Sequence, residues 1–374
     1  MPFIRGFVIA GLAPLAFLFL VGAYIQPLVG DLTRVGRVAE RSWGWNEPRF
    51  VIERLPNMAT PTSDVIVVGD SFSLGNAWQS AAQRASGLSF VTYHWDEVGP
   101  PVCLERAIER LREMHPRARV VIVQTVERHF VRRFANRSKS TATCPTSLEP
   151  NARDPQPGRP DRQQIIDLSA GLPDPRYALD ALIAERRDYD HTQRTGKAYV
   201  APLTRRDLFS NRRSGHLLYF EGDLDKDSWT REQIRAAAAN MRGLAERLRS
   251  AGVRPLFLVI PDKTTVYAPY VAESIVAGPH AELWGELENA SVPSIDLNTL
   301  FAREVTRYVD FYYPNDTHYG DRARALMAQE VASALQAVGH PESPSLSADR
   351  SGASRHAATE RDRQGASTGG QHRR

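Results

Sequence analysis

Short apolar, β-branched runs alternate with longer amphipathic segments along most of the chain. Five runs predict strands, at 64–69, 88–94, 119–124, 255–260 and 292–297. The intervening segments predict helices at 74–86, 104–114, 230–251, 272–287 and 321–338. Because the run at 119–124 has four consecutive apolar, β-branched residues at its centre, it is typical of a strand buried on both faces. This alternation predicts an α/β three-layer sandwich, flavodoxin-like, with a central parallel five-stranded sheet.

The amino-terminal segment departs from this pattern. From Gly6 to Ile25 the chain carries no charge and is long enough to cross a bilayer as a helix. One interpretation, which we favour, is an uncleaved transmembrane anchor in the inner membrane. The other is a signal peptide cleaved after the small residues 21–23. Either of these two interpretations places the rest of the chain in the periplasm. The remaining alternative is a buried core helix.

The pattern divides the chain into four parts. Residues 1–30 are interpreted as the anchor, 31–63 as a linker, 64–340 as the catalytic domain and 341–374 as a disordered tail. Within the domain, residues from about 131 to 228 are predicted to form an insertion, because their first part is rich in Arg and Pro. A helix at 175–187 and a strand at 216–220 are predicted inside the insertion.

Composition and residue spacing argue against several classes of function. The formal net charge of the 374 residues is +4, and the arginines are scattered, so no nucleic-acid surface is indicated. The ten histidines show no ligand spacing with cysteines or carboxylates, so no metal site is predicted. The sequence contains no glycine-rich phosphate-binding loop, so it does not indicate a nucleotide cofactor. Cys103 and Cys144 fit one disulfide in an exported protein, although two free thiols would give the same sequence.

The first candidate chemical group is Ser71, in the segment Gly69-Asp70-Ser71-Phe72-Ser73 after the first strand. Ligands of parallel sheets collect at the carboxyl ends of strands. Ser71 or Ser73 is expected to cap the following helix, whose N–H groups and dipole would stabilise an oxyanion. Gly69 is expected to permit the sharp turn. The alternative is a helix cap without chemistry.

The second candidate is the segment Asp316-Thr317-His318, just before the last predicted helix. An Asp and a His two positions apart can share a hydrogen bond, so that Asp316 fixes the tautomer of His318. The other ring nitrogen of His318 can then take the proton of a serine. The alternative is an Asp cap beside a surface histidine. Together with a strand-end serine, the segment predicts a catalytic triad of Ser71, His318 and Asp316.

These segments resemble the SGNH hydrolase superfamily, and most closely the alginate O-acetyltransferase proteins of the AlgJ and AlgX type. The matching pieces are GDSFS at 69–73, VER at 126–128, PDK at 261–263 with Tyr267, and DTH at 316–318. Two features depart from these families. The Ser segment precedes the Asp-x-His segment, the reverse of the order in the alginate proteins. The SGNH motif Gly-x-Asn-Asp is absent, so the oxyanion hole is assigned to the amides of Ser71 and Gly99.

The resemblance implies that Ser71 carries an acetyl group, with His318 as base and acid and Asp316 as its orienting partner. It implies support of the site by Asp70, Gly99 and Arg128, with an ion pair between Glu127 and Arg128 holding the site loops. Lys263, Tyr267 and Tyr319 are expected to line an acceptor groove. Surface salt bridges and strand-end packing are the alternatives for these residues. A disulfide between Cys103 and Cys144 would tie the Gly99 loop to the insertion.

The expected function is that of a periplasmic O-acetyltransferase acting on an exported polysaccharide through an acetyl-serine intermediate. The expected partners are the polysaccharide and a membrane-bound O-acyltransferase that supplies acetyl groups, and no soluble cofactor is needed. Two alternatives use the same fold. One is an SGNH carbohydrate acetylesterase with water as acceptor, and the other is a non-catalytic polysaccharide-binding scaffold.

Overall fold

The computed structural model describes residues 2–25, 30–46, 50–55, 62–135, 143–148, 174–275 and 278–339. The predicted tail at 341–374 and most of the Arg- and Pro-rich part of the insertion lie outside these residues.

A five-stranded sheet forms the centre of the fold, in the order β2-β1-β3-β7-β8. The strands are β1 (Val65–Gly69), β2 (Phe90–His94), β3 (Val120–Val126), β7 (Arg254–Ile260) and β8 (Ser294–Ile295). All neighbouring pairs are parallel. Every residue of β1 and β3 is buried, as a strand covered on both faces requires. The predicted α/β fold with a parallel five-stranded sheet is therefore confirmed.

Helices follow the strands in alternation. They are α4 (Ala77–Ser86), α5 (Trp95–Val98), α6 (Pro101–Met114), α7 (Phe130–Phe134), α9 (Arg231–Ser250), α10 (Lys263–Tyr267), α11 (Leu283–Asn289), α12 (Leu297–Glu304) and α13 (Asp321–Gly339). The apolar stripe predicted on α9 is buried, from Ile234 to Leu248. It packs in one core cluster with alternate residues of β1, β2, β3 and β7. Thr230 caps α9 by accepting the Gln233 N–H at 3.3 Å.

The start of α4 differs from the prediction. The helix begins at Ala77, and neither Ser71 nor Ser73 caps it. Asn76 occupies the N-cap position with φ 52°, after Gly75 with φ 80°. The hydroxyl of Ser73 instead donates to Gln124 Oε1 at 2.8 Å, so residues 71–75 form turns rather than helix.

Two further element boundaries also differ from the prediction. The helix predicted at 272–287 begins at Leu283, after a 3₁₀ turn at Pro279–Glu282. The backbone at Ala272 is extended, because its N–H donates to the Pro202 carbonyl at 2.9 Å. The fifth strand is only two residues long, because Asp296 already caps α12 by accepting the Thr299 N–H at 3.0 Å.

The described part of the insertion is ordered secondary structure. It contains α8 (Pro175–Glu185) and a three-stranded antiparallel sheet of β4 (Gln193–Thr195), β5 (Ala198–Pro202) and β6 (His216–Phe220). A 3₁₀ segment, Glu221–Ser228, follows β6. The sequence pattern indicated α8 and β6. The strand β4 is three residues long and polar, and β5 was not predicted.

The first helix, α1 (Pro2–Ile25), is the apolar segment predicted to cross a membrane. Its span Phe3–Gly22 has a mean hydropathy of 2.2, and the side chains of Phe3 and Phe7 are 84% and 74% exposed. By length and composition it is compatible with a membrane anchor and with a signal sequence.

Part of the segment predicted as a linker packs on the fold. Residues 30–46 contain α2 (Asp31–Gly36) and α3 (Glu40–Trp43). Leu32 and Trp43 are buried in one cluster with Val200 of β5. The carbonyl of Gly36 accepts the Thr195 hydroxyl at 2.7 Å. These contacts bring the residues that follow α1 to the insertion sheet.

Candidate active site

Ser71, His318 and Asp316 lie together at the carboxyl end of β1. His318 Nε2 is 3.0 Å from Ser71 Oγ, although the two residues are 247 positions apart. His318 Nδ1 is 2.6 Å from Asp316 Oδ1, which also accepts the His318 N–H at 3.0 Å. Ser71 is exposed and Asp316 is fully buried. In this arrangement the imidazole can take the serine proton while the carboxylate holds a proton on the other ring nitrogen.

Gly69 ends β1 and allows the nucleophile turn, residues 69–73, to pack against β3. A Cβ at this position would lie 2.6 Å from Gln124 Oε1 and 2.6 Å from Ser73 Oγ. Because φ of Gly69 is not positive, the glycine is required for this close approach rather than for the sharp turn that we expected.

Asp70 is the acceptor that fixes the nucleophile turn. Its Oδ1 accepts from the Phe72 N–H at 3.2 Å and from Gln124 Nε2 at 2.9 Å. Its Oδ2 accepts from the Val126 N–H at 2.8 Å and from Arg133 Nη1 at 3.3 Å. Burial acts to raise the pKa of Asp70, but the Arg133 charge and the hydrogen bonds from Gln124 and Val126 outweigh burial and lower it. Asp70 is therefore an ionised support of the turn.

The oxyanion hole differs from the prediction. The Gly99 N–H donates to the Trp95 carbonyl at 2.7 Å and so closes α5, which makes the assignment of this amide to the oxyanion hole wrong. The dipole of α4 also contributes little, because the helix starts six positions after Ser71 and the effect falls off within a turn. Within the described residues, the Ser71 N–H donates to no other group. Of the two amides predicted to form the oxyanion hole, that of Ser71 therefore remains as a donor.

Gly99 has a packing role beside a disulfide. The structure joins Cys103, in the first turn of α6, to Cys144 of the insertion. A Cβ on Gly99 would lie 3.1 Å from Cys103 Cβ and 3.1 Å from Pro145 Cδ, and the residue has φ 83°. Glycine therefore lets the loop after β2 approach the disulfide and the described residues 143–148.

Glu127 and Arg128 belong to a buried charge cluster rather than to a pair of their own. Arg128 Nη1 lies 3.1 Å from Asp223 Oδ1 and also contacts Asp262, whose Oδ2 accepts the Arg128 N–H at 2.9 Å. Lys226 Nζ lies 3.2 Å from Glu127 Oε2 and 3.4 Å from Asp262 Oδ2. All five side chains are buried, which excludes a surface salt bridge. Burial, followed by the Asp262 charge, raises the pKa of Asp223 to about 7.

Arg128 connects this charge cluster to the catalytic segments. Its Nη2 donates to Thr317 Oγ1 at 3.5 Å, and its guanidinium lies 5.6 Å from the centre of the Phe72 ring. The Phe72 ring in turn lies 4.5 Å from that of His318. Arg128 therefore contacts both catalytic segments, and its charge partners Asp223 and Asp262 lie on other segments.

Lys263 does not line a groove. It is 1% exposed, and its Nζ donates to the carbonyls of Tyr313 at 2.8 Å, Pro314 at 3.0 Å and Asp316 at 3.3 Å. Burial lowers its pKa to about 7. The Lys263 ammonium therefore binds the catalytic loop, residues 313–318. The prediction that Lys263 contacts an acceptor sugar is corrected.

Tyr267 and Tyr319 are likewise interior residues, each fully buried. The Tyr267 hydroxyl accepts the Tyr312 N–H at 3.2 Å, and the Tyr319 hydroxyl donates to the Phe72 carbonyl at 3.3 Å. They brace the catalytic loop and the nucleophile turn rather than contact solvent. The prediction that they line an acceptor groove is corrected, because neither side chain reaches the surface.

Asp31 is a residue of the site that sequence reasoning missed. Its Oδ1 accepts the Thr317 N–H at 2.8 Å, and its Oδ2 lies 3.7 Å from His318 Nδ1. Burial, followed by the Asp316 charge, raises its pKa to about 6. One ligand atom from each of Asp31, Asp316 and His318 lies within 4.8 Å of the others, but the hydrogen bonds above account for these positions without a metal ion.

A cavity of about 650 Å³ lies between α6 and α9 at the disulfide. Its lining includes Trp95, Gly99, Arg133, Asn240 and Arg247, but neither Ser71 nor His318. Two of its lining residues connect it to the nucleophile turn, since Arg133 bonds to Asp70 and Trp95 bonds to the Gln124 carbonyl. The cavity is therefore a neighbour of the nucleophile turn and not the place of reaction.

Comparison with known proteins bears on the carboxyl-terminal half. Residues 215–366 match a family described as an SGNH hydrolase-like domain, acetyltransferase AlgX. The match contains Lys226, Lys263 and the Asp316–His318 segment, whereas Ser71 precedes it. No curated protein and no solved structure matches the chain. The family match confirms the predicted resemblance to the SGNH hydrolase superfamily, and it identifies residues 215–366 as similar to the SGNH acetyltransferases of the AlgX type.

Proposed function

We propose that this protein is a periplasmic O-acetyltransferase that acetylates an exported polysaccharide through an acetyl group carried on Ser71. The observation that carries the proposal is the 3.0 Å contact between Ser71 Oγ and His318 Nε2, with Asp316 on the opposite ring nitrogen. The acetyltransferase character of the matched family supports acetyl as the transferred group.

The first half of the reaction loads the enzyme. Ser71 Oγ attacks the carbonyl carbon of the acetyl donor while His318 Nε2 takes the hydroxyl proton. The oxyanion of the tetrahedral intermediate accepts a hydrogen bond from the Ser71 N–H, and Asp316 stabilises the imidazolium. The intermediate then collapses to acetyl-Ser71, and the leaving group departs with the proton from His318.

The second half transfers the acetyl group. A sugar hydroxyl attacks the carbonyl carbon of acetyl-Ser71 while His318 Nε2 takes its proton. Collapse of this second intermediate breaks the bond to Ser71 Oγ, which recovers its proton from His318. The products are an O-acetylated sugar and free enzyme.

The position of α1 supports a donor held in the membrane. Asp31 touches the catalytic loop and lies six positions after Ile25, the end of α1. Six residues span at most about 20 Å. If α1 is an inner-membrane anchor, the catalytic centre stays close to the bilayer surface, where a membrane-bound O-acyltransferase would present acetyl groups. Cleavage of α1 as a signal peptide would remove this constraint.

An acetylesterase is the second candidate, because Ser71 is exposed and water can reach an acetyl group on it. The two functions differ only in the acceptor of the second half-reaction. A non-catalytic scaffold has no use for the hydrogen bonds that join Ser71, His318 and Asp316.

The deciding experiment uses the full-length protein, the Ser71→Ala variant and, as a matched control, Ser250→Ala at the exposed end of α9. Each is incubated with an acetyl ester donor and candidate oligosaccharides, and mass spectrometry follows the peptide containing residue 71 and the sugars. We expect the wild type and Ser250→Ala to acquire the acetyl group and pass it on, and Ser71→Ala to do neither. Donor hydrolysis without acetylated sugar would indicate the esterase, and equal sugar acetylation by Ser71→Ala would refute covalent catalysis.

A further inference from the structure

Asp31, the first residue of α2, places a second carboxylate beside the imidazole of His318. We propose that Asp31 is a positioning residue of the catalytic centre, which acts together with Asp316 to orient His318 and to stabilise its imidazolium form. The proposal deepens the proposed function and rests on it, because it assigns a role in the same acid–base step.

The geometry separates the two carboxylates by role. Asp316 Oδ1 lies 2.6 Å from His318 Nδ1 and takes the hydrogen bond of that nitrogen. Asp31 Oδ2, at 3.7 Å from the same nitrogen, is too far for a hydrogen bond but close enough for a direct charge interaction. Asp31 Oδ1 accepts the Thr317 N–H at 2.8 Å, which fixes the backbone between Asp316 and His318.

The segment that carries Asp31 is fitted to the catalytic loop. A Cβ on Gly30 would lie 1.9 Å from the Asn315 carbonyl oxygen, so only glycine permits this approach. That carbonyl accepts the Leu32 N–H at 3.0 Å. The Glu40 carboxylate accepts the Thr33 hydroxyl at 2.6 Å and also accepts from the Asn315 side-chain amide. Asp31 is thus held at His318 by contacts on both sides of it.

The groups around Asp31 set the pH range in which its carboxylate is ionised. Asp316 and His318 face it from the catalytic loop, the ammonium of Lys263 lies beneath that loop, and Glu40 approaches from α3 through the Gly30 N–H. Because burial and the Asp316 charge raise the pKa of Asp31 to about 6, the carboxylate is ionised above that pH and neutral below it. The negative charge that favours the imidazolium is therefore lost as the pH falls.

The test uses the full-length protein in detergent and measures the rate at which a fluorophosphonate probe modifies Ser71, as a function of pH. Asp31→Asn keeps an acceptor for the Thr317 N–H but removes the charge. We expect the plateau rate to fall about tenfold, a small effect beside the ~10⁴-fold loss when the orienting carboxylate of such a triad is replaced. The variant also lacks the carboxylate that loses its charge near pH 6, so the acid limb of the rate profile should move to lower pH by about one unit.

Two further variants make the result specific. Asp31→Glu keeps the charge and should hold the acid limb near that of the wild type. Asp207→Asn removes an exposed carboxylate paired with Arg205, and should change neither the rate nor the acid limb. Thermal unfolding of each variant shows that the fold is retained.

Three outcomes would overturn the inference. An Asp31→Asn profile that coincides with that of the wild type would show that the charge is unused. A slower rate with an unmoved acid limb would show that Asp31 only supports the backbone. Modification of Ser71→Ala as fast as that of the wild type would refute the proposed function itself, and the role of Asp31 with it.

Discussion

Asp70→Asn tests how the nucleophile turn is held in place. Both carboxylate oxygens of Asp70 only accept, and each of them has two donors: Phe72 and Gln124 for Oδ1, Val126 and Arg133 for Oδ2. An asparagine replaces one oxygen by an amide NH₂ group, which only donates. Whichever oxygen is replaced, two donors lose their acceptor and face another donor.

The expected cost follows from the burial of these groups. Asp70 is 4% exposed, and the Arg133 side chain is 13% exposed. Each unsatisfied buried donor costs about 1–3 kcal/mol, and breaking a buried charge pair costs about 3–5 kcal/mol in total. We therefore expect Asp70→Asn to lose about 3–5 kcal/mol of unfolding free energy, which corresponds to a fall in Tm of roughly 10 °C. Displacement of Ser71 by about 1 Å should also slow its modification roughly a hundredfold.

The pH dependence gives this prediction a sign. Because the folded protein lowers the pKa of Asp70, the stabilisation is present above the ordinary carboxyl pKa and is lost as the pH falls through the lowered value. The difference in Tm between the wild type and Asp70→Asn should therefore persist at neutral pH and shrink below about pH 4.

The assay is thermal unfolding followed by tryptophan fluorescence, together with fluorophosphonate modification of Ser71. Asp207→Asn is the matched control, since it removes an exposed carboxylate. A variant that keeps the Tm and the modification rate of the wild type would show that the four hydrogen bonds of Asp70 do not hold the nucleophile turn.

Three other predictions concern stability and the catalytic loop. Replacing Cys103 and Cys144 together by serine should cost about 2–4 kcal/mol, read as a fall in Tm that reduction of the wild type reproduces, and an unchanged Tm would contradict it. Because the pKa of Asp223 is raised to about 7, the folded state holds this proton more tightly than the unfolded state, so this group's contribution to stability falls as the pH rises from about 4 to about 7. Asp223→Asn should therefore gain Tm relative to the wild type on going from acidic to alkaline pH. Asp262→Asn, which breaks the buried contacts with Arg128 and Lys226, should lose about 3–5 kcal/mol of unfolding free energy at neutral pH. Equal changes in Tm for the two variants would contradict this difference. Gly30→Ala should strongly slow modification of Ser71, because the added Cβ would clash with the catalytic loop. Gly285→Ala is the control, since nothing lies within 4 Å of a Cβ at that position. Equal modification rates for the two variants would show that the catalytic loop can move to accommodate the Cβ.

Much of the fold was predictable because its signals are local. The buried run that forms β3 and the apolar stripe of α9 depend only on the spacing of neighbouring residues. The start of α4 was not predictable from such spacing. Ser73 is a favourable helix cap by residue type, but its hydroxyl is taken by Gln124, 51 positions away, so the helix begins only at Ala77.

In the candidate site, too, local motifs were predictive and distant contacts were not. Short motifs indicated Ser71, Asp316 and His318, because their residue types and spacing are typical of a serine triad. Nothing around Asp31 distinguishes it from a residue of a linker, since its partner Thr317 is 286 positions away. Lys263 was assigned to the wrong environment for a similar reason, because its carbonyl acceptors belong to a loop about 50 positions later.

Thr317 joins three distant segments at the catalytic histidine. Its N–H donates to Asp31, just after α1, and its hydroxyl accepts from Arg128, which is paired with Asp223 of the insertion. Because Thr317 lies between Asp316 and His318, both contacts act on the imidazole through one short stretch of backbone. The segment after α1 and the insertion are therefore both connected to the position of His318 relative to the serine hydroxyl, and under the proposed function both would affect the reactivity of Ser71 by this route.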